Sequence, residues 1–380
     1  MKRSMWTGRV EGGPCCTNHA AVATKDKIYS FGGFCVDDID ATRRPMDVHV
    51  FNTVSLRWSK IPVQGDLDSV PFQRHGHTVV AYRDYVYLWG GRDDNGACNI
   101  VYRFDTASLT WLRPNTTGQT PRARKGHSAC VVGSGMYVFG GFEDRLFRDV
   151  HVLDLDTMHW RPLVVTTGAS PEWRGFHSAV AIGSRIYVWG GRCALDSGTA
   201  LLATEDYSNR LVYLDTASDV WVRPEAEGTR PLARCGHTAF VYNGEMYLFG
   251  GYNGLLGSFF ADMYKYDTEA CQWSQVEPIG KGPCPRTGHC CCLVGGRLFI
   301  FGGIRPDNAP ESARECSTSQ PLRDYPDMHI LHFEPCLKTL SLLVVADSGL
   351  DVSHLPEDIK WQICCVTSNN PASRSRICSR

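Results

Sequence analysis

The sequence predicts an all-β protein, a six-bladed β-propeller whose last blade is closed by the N-terminal strand, followed by a short C-terminal α-helical extension. Three observations predict it. A double glycine ends an apolar, aromatic run six times, at Gly32-Gly33, Gly90-Gly91, Gly140-Gly141, Gly190-Gly191, Gly250-Gly251 and Gly302-Gly303. The intervals stay near the ~50 residues that four strands of a propeller blade occupy. A histidine lies upstream of each double glycine (His19, His77, His127, His177, His237, His289), and a tryptophan lies downstream of five of them (Trp58, Trp111, Trp160, Trp221, Trp273).

Each element of the blade follows from local chemistry. The small and β-branched residues after each histidine predict an innermost strand. The runs that end in the glycines, such as Tyr137-Val-Phe139 and Tyr187-Val-Trp189, predict a second. A third apolar alternation, as in Asp149-Val-His-Val-Leu-Asp154, precedes the tryptophan strand, which is the fourth. The sixth unit has its third strand at Asp327-Met-His-Ile-Leu331 but no tryptophan after it, whereas Trp6 stands near the N-terminus in a similar context. The first strand is therefore expected to complete blade six, pairing two edges that would otherwise invite aggregation. The propeller is expected over residues 5–333, a helical segment over 334–366 and a disordered tail over 367–380.

A residue that recurs in every blade answers to a need every blade shares. The histidines are thus read as structural, with imidazoles bonding to neighbouring backbone. The tryptophans are read as packing between blades. An arginine three residues before the histidine recurs at Arg74, Arg124, Arg174, Arg234 and Arg286, with Cys16 in its place in blade one. These arginines are expected to ring one mouth of the central channel. Arg92 and Arg192, each directly after a double glycine, join them there, with Phe34, Phe142 and Tyr252 at the matching places. Guanidinium forks match carboxylates in two-point contacts, so such a mouth suits the free carboxylate of another polypeptide.

The formal net charge of -1 gives no reason to expect nucleic acid or a membrane surface as partner. No stretch approaches the ~18 apolar residues of a membrane span, and a cytoplasmic or nuclear location is expected. Seventeen cysteines, an odd number with no C-x-x-C pair, fit reduced thiols rather than disulfides or a zinc site. No metal, cofactor or catalytic constellation is expected, since the chain has no Walker loop, nucleophile elbow or metal triad.

After Phe333 the period changes, and Leu337, Leu340, Ser341, Val344 and Val345 fall at helical spacing. Leu355-Pro356-Glu357-Asp358-Ile359 has the proline and acids of a first helical turn. The stretch Cys336-Leu-Lys-Thr-Leu-Ser-Leu-Leu-Val-Val345 resembles an elongin-binding box, with Ser341 at that pattern's cysteine. The stretch Leu355-Pro-Glu-Asp-Ile-Lys-Trp-Gln-Ile363 resembles a cullin-2 box, through Leu355, Pro356, Ile359 and Ile363.

Together with the six kelch-type repeats, these segments make the chain similar to the kelch-repeat substrate receptors of cullin-2 RING ubiquitin ligases. The resemblance implies a non-catalytic subunit that reads C-terminal degrons ending in glycine after arginine, lysine or glutamine. It implies elongin B, elongin C, cullin-2 and a RING subunit as partners, protein degradation as the outcome, and a link to meiosis. By position it puts the carboxylate clamp at Arg192, Tyr207 and Cys235, with Arg92, Arg174, Arg234 and Arg286 as further candidates. Glu143, Asp144, Glu205 and Asp206 are the acids expected to meet a basic penultimate residue. The alternative is a kelch scaffold or chromatin-associated module that binds an internal epitope without a ligase.

Overall fold

The computed structural model describes residues 4–36, 44–62, 68–165, 167–194, 206–307, 315–317, 321–348, 351–360 and 363. Six sheets of four antiparallel blade strands follow one another around a central channel, and blades one to five keep those strands in chain order from the channel outward. Blade one runs Ala20–Thr24, Lys27–Phe31, Val48–Asn52 and Arg57–Ile61. The innermost strands of the other blades begin at His75, Ser128, Ser178, Thr238 and Cys290, and each neighbours the next around the ring. Blade six is closed as the sequence predicts. Met5–Val10 pairs antiparallel with Met328–His332, so the first strand of the chain is the outermost strand of the last blade.

The hydrophobic core is divided among the six seams between blades. One cluster joins Phe299 and Phe301 of blade six to Phe51 and Trp58 of blade one, and another joins Trp189 of blade four to Met246 and Trp273 of blade five. Every seam repeats one ring contact. The fourth-strand tryptophan packs on the aromatic residue just before the preceding blade's double glycine, as in Trp160 on Trp89 at 5.6 Å and Trp221 on Phe139 at 5.1 Å. In four of the seams that aromatic in turn meets the next histidine edge-on, as in Trp89 with His127 at 4.8 Å and Phe139 with His177 at 5.1 Å. Trp6 takes the same role against Phe249 at 6.3 Å, which explains why the closing strand carries a tryptophan. Aromatic pairs at these spacings add about 0.5–1.5 kcal/mol each beyond the area they bury.

The double glycine is dictated by the same crowding. A Cβ on Gly140 would stand 2.7 Å from the Arg174 carbonyl and 2.9 Å from His177 of the next blade, and one on Gly141 would stand 2.8 Å from Cβ of His127. Both glycines also have left-handed φ, at 64° and 91°. No other residue meets both demands.

The histidines are buried and structural, and beside the neighbouring backbone, which His19, His127, His237 and His289 meet at Cys16, Trp89, Trp189 and Phe249, four of the six also bond a hydroxyl. Nε2 of His127 bonds Thr78 Oγ1 at 2.8 Å, that of His177 bonds Ser128 Oγ at 2.8 Å, that of His237 bonds Ser178 Oγ at 2.7 Å and that of His289 bonds Thr238 Oγ1 at 2.9 Å. Each hydroxyl belongs to the residue directly after the previous blade's histidine. A belt of imidazole–hydroxyl bonds therefore links blades two to six.

Beyond the propeller, Leu337–Ser348 is an α-helix, and residues 357–360 and 363 are helical. Among the described residues no helix is long and apolar enough to cross a membrane. The expected tail over 367–380 lies outside the described residues.

Candidate functional site: the channel mouth and the C-terminal helix

The channel is closed at the start of the inner strands by six backbone bonds that form a ring. Asn18, Gly76, Gly126, Phe176, Gly236 and Gly288 each donate N–H to the preceding blade's carbonyl, Asn18 to Gly288 included, at 2.7–2.9 Å. All six have left-handed φ between 51° and 67°. Asparagine tolerates that region, while phenylalanine is an outlier in it. The interior behind the ring is a narrow space of about 150 Å³ lined by the six histidines. Burial pushes those imidazoles far down, to about 3 for His19, His127 and His237. They are neutral at physiological pH, and so serve the fold rather than proton transfer.

Outside the ring the mouth is walled by six two-residue bridges. The residue after each double glycine pairs with the one before each ring residue: Phe34 with Thr17, Arg92 with His75, Phe142 with Lys125, Arg192 with Gly175, Tyr252 with Cys235 and Ile304 with Thr287. Arg92, with a side chain 43% exposed, reaches Glu143 at 3.3 Å. Lys125 Nζ lies 5.1 Å from the Phe142 ring, and Phe142 packs on Phe176 at 5.2 Å. Burial and then the Arg92 charge lower the Lys125 amine, and burial with Lys125 and Arg92 pushes His75 down to about 4. The open mouth is thus a positively charged, aromatic-walled dish on the side of blades two to four.

The ring of arginines expected to line this mouth is not there. Arg286 is fully buried, donates to the Gly302 carbonyl at 3.1 Å and takes both oxygens of Asp327 at 2.7 and 3.0 Å. Arg124 does the same with Gly140 and Asp149, and Arg234 with Gly250 and Asp262. Arg174 bonds the Gly190 carbonyl and Glu172, and Arg74 the carbonyls of Gly90 and Phe72. Each guanidinium turns inward and ties the start of its own blade to the first carbonyl of that blade's double glycine. Arg174, Arg234 and Arg286 therefore do not face the mouth: each guanidinium is paired inside the fold, as a buried one must be to persist there.

The other candidates divide by position. Arg192 is half-buried on the wall and faces Tyr207 across a strand pair. Tyr207 and Cys235 are buried, and they are close through Tyr252, which bridges Cys235 and lies with Tyr207 around Gly254. The structure therefore gathers Arg192, Tyr207 and Cys235 at the seam of blades four and five. Asp144 and Asp206 are exposed, Glu143 is engaged by Arg92, and Glu205 lies outside the described residues. Sequence reasoning missed Lys125, His75 and Phe176. Their signal was available: they stand one or two places before a repeat histidine, and register opposes His75 and Lys125 to the residues after the glycines.

At the other end, Cys336 opens the C-terminal helix, its sulfur accepting the Thr339 N–H at 3.5 Å. Leu337 is 82% exposed and Val344 65% exposed, while Leu340 and Val345 are half-buried and Ser341 is exposed. Residues 337, 340, 341 and 344 share one helix face. Leu355 and Ile359 are half-buried, Pro356 is exposed and Ile363 is buried.

Comparison with known sequences places this architecture. The KLHDC2/KLHL20/DRC7 Kelch-repeats domain matches residues 18–161 and 76–303. The chain is 45% identical over 383 residues to Kelch domain-containing protein 3 of Rattus norvegicus and of Homo sapiens, covering 98% of this chain and 99% of each relative. Host cell factor 2 of Homo sapiens is 29% identical over 282 residues, 69% of this chain and 34% of that protein. With six seams of the same design and a match along nearly its whole length, this chain belongs to the kelch-repeat family of Kelch domain-containing protein 3.

Proposed function

We propose that the protein is the substrate-recognition subunit of a cullin-2 RING ubiquitin ligase, working in the cytoplasm or nucleus without catalysis of its own. The observation that carries the reading is the helix Leu337–Ser348, which presents Leu337 and Val344 to solvent directly after the propeller ends. Two large aliphatic side chains held out on one helix face suit an apolar partner groove, here that of elongin C with elongin B. Residues 355–363 would then meet cullin-2, which brings the RING subunit. Substrates are taken at the opposite kind of surface, the charged mouth. Arg192 beside Tyr207 and Cys235, with Arg92 and Lys125 across the dish, supports binding of a free C-terminal carboxylate. Asp144 and Asp206, both exposed, and Glu143 beside Arg92 are the acids that would favour a basic residue before a terminal glycine.

Two measurements test the two halves separately. Recovery of elongin C from cell extract by the wild type and by Leu337→Asp should differ by about tenfold or more, since a buried charge replaces a buried leucine; equal recovery removes the ligase assignment. Peptides ending in Arg-Gly or Lys-Gly should lose most of their affinity when their C-terminus is amidated. Unchanged affinity would favour the second reading, a scaffold that binds an internal epitope, which draws support from the inward turn of the repeat arginines.

A further inference from the structure

We infer that a groove at the edge of blades three and four is a second binding site, one for an acidic peptide segment. The groove has a volume of about 400 Å³ and is built from three separate stretches of chain. Arg122 comes from the connection that leads into blade three, Arg145 and Arg148 from the loop after that blade's double glycine, and Trp173 from the strand that leads into blade four. None of these belongs to the channel wall.

Its electrostatics are one-sided. The groove's single acid, Asp149, already gives both oxygens to the buried Arg124, with His151 a further 3.4 Å away. Arg122, Arg145 and Arg148 are exposed, and among the described residues none of the three has an ion pair or a side-chain hydrogen bond. Several exposed cations elsewhere on the surface are paired, as in Arg83 with Asp156, Arg210 with Glu172 and Lys60 with Asp47.

The aromatic residues hold the cations in place without using their donors. Arg148 lies 3.8 Å over the Trp173 ring, and Arg145 lies 5.8 Å from Phe147. Stacking engages the guanidinium face and leaves its N–H edge directed outward, the edge that grips a carboxylate at two points. Three like charges sharing one groove are relieved by an anionic guest. Glutamate or aspartate side chains of a peptide fit best. A nucleic-acid strand needs a continuous basic track, which a groove of three arginines on a chain of net charge -1 does not offer.

The test uses the full chain and a fluorescent glutamate-rich dodecapeptide with an amidated C-terminus, so the outcome does not depend on carboxylate binding at the mouth. Anisotropy should show binding that weakens with salt and falls about tenfold or more for the glutamine isostere. The double variant Arg145→Gln/Arg148→Gln should lose binding to the same degree, while Arg161→Gln, an exposed cation on the outer strand of the same blade, should retain it. Thermal melts of both variants should match the wild type. Equal binding of the glutamate and glutamine peptides, or equal loss in both variants, would overturn the proposal. Tighter binding of an oligothymidylate than of the peptide would overturn the choice of partner.

Discussion

Blade one and its sister blades solve the same packing problem with different chemistry. In blades three, five and six a buried arginine grips an aspartate of the third strand or just before it, and in blades two to five a hydroxyl on the inner strand meets the next blade's histidine. Blade one has neither. Cys16 stands in the arginine's place, its thiol only 3.5 Å from the Gly32 carbonyl, and Asp47 turns outward to Arg44 and Lys60. Ala20 follows His19, so His77 has no hydroxyl to meet, and Cys290 leaves His19 in the same condition. Among the described residues neither His19 nor His77 has a hydroxyl on its buried ring, and His19 keeps only the Cys16 backbone. The belt of bonds that runs from blade two to blade six is thus open across the seams of blade one, the place where the two ends of the propeller meet. Ring closure there rests on apolar packing, on backbone bonds and on single side-chain bonds such as Thr17 to the Gly288 carbonyl and Arg297 to the Thr53 carbonyl, and the repeated polar ties are concentrated on the far side.

Acidification should strain the histidine belt most. His19, His127 and His237 are neutral in the fold, with values near 3, while the unfolded chain takes up protons below about 6.5. The unfolded state therefore binds more protons across that window, and stability falls as pH falls. At about 1.4 kcal/mol per unit for each group, these three histidines alone predict a loss of about 4 kcal/mol between pH 6 and 5. Urea unfolding at several pH values checks this, and a flat profile would show that the imidazoles gain other partners.

The buried ion pairs come next. Asp327→Ala should cost about 3–5 kcal/mol, since it strands Arg286 in the core and also frees His329. The matching change in blade one, Asp47→Ala, should cost no more than about 1 kcal/mol, because its partners are partly exposed. Similar losses at the two positions would contradict the contrast between the blades.

Repair of the belt is the smallest effect and the sharpest. Ala20→Ser places a hydroxyl where Thr78, Ser128, Ser178 and Thr238 stand in the other blades. It should give Nε2 of His77 a partner and raise stability by about 0.5–1.5 kcal/mol. A loss instead would mean that the seam of blade one is too tight to admit the oxygen.

Blade number, strand order and closure by Met5–Val10 were legible from residue order alone. Their signals are local: alternation along each strand, a glycine pair where Cβ atoms would collide, and a tryptophan at a constant distance beyond it. Trp6 announced its strand because every seam demands that ring. The direction of Arg286 was not legible in the same way. Spacing put its Cα near the mouth, but whether the long side chain reaches out or in depends on Asp327, 41 residues away and adjacent only after folding. The cationic groove is likewise an encounter of three segments that no local pattern relates. Periodicity constrains the backbone over a few residues, so sequence decides the propeller. Charge pairing acts through space, so only the tertiary structure decides which cations are spent inside and which remain for a partner.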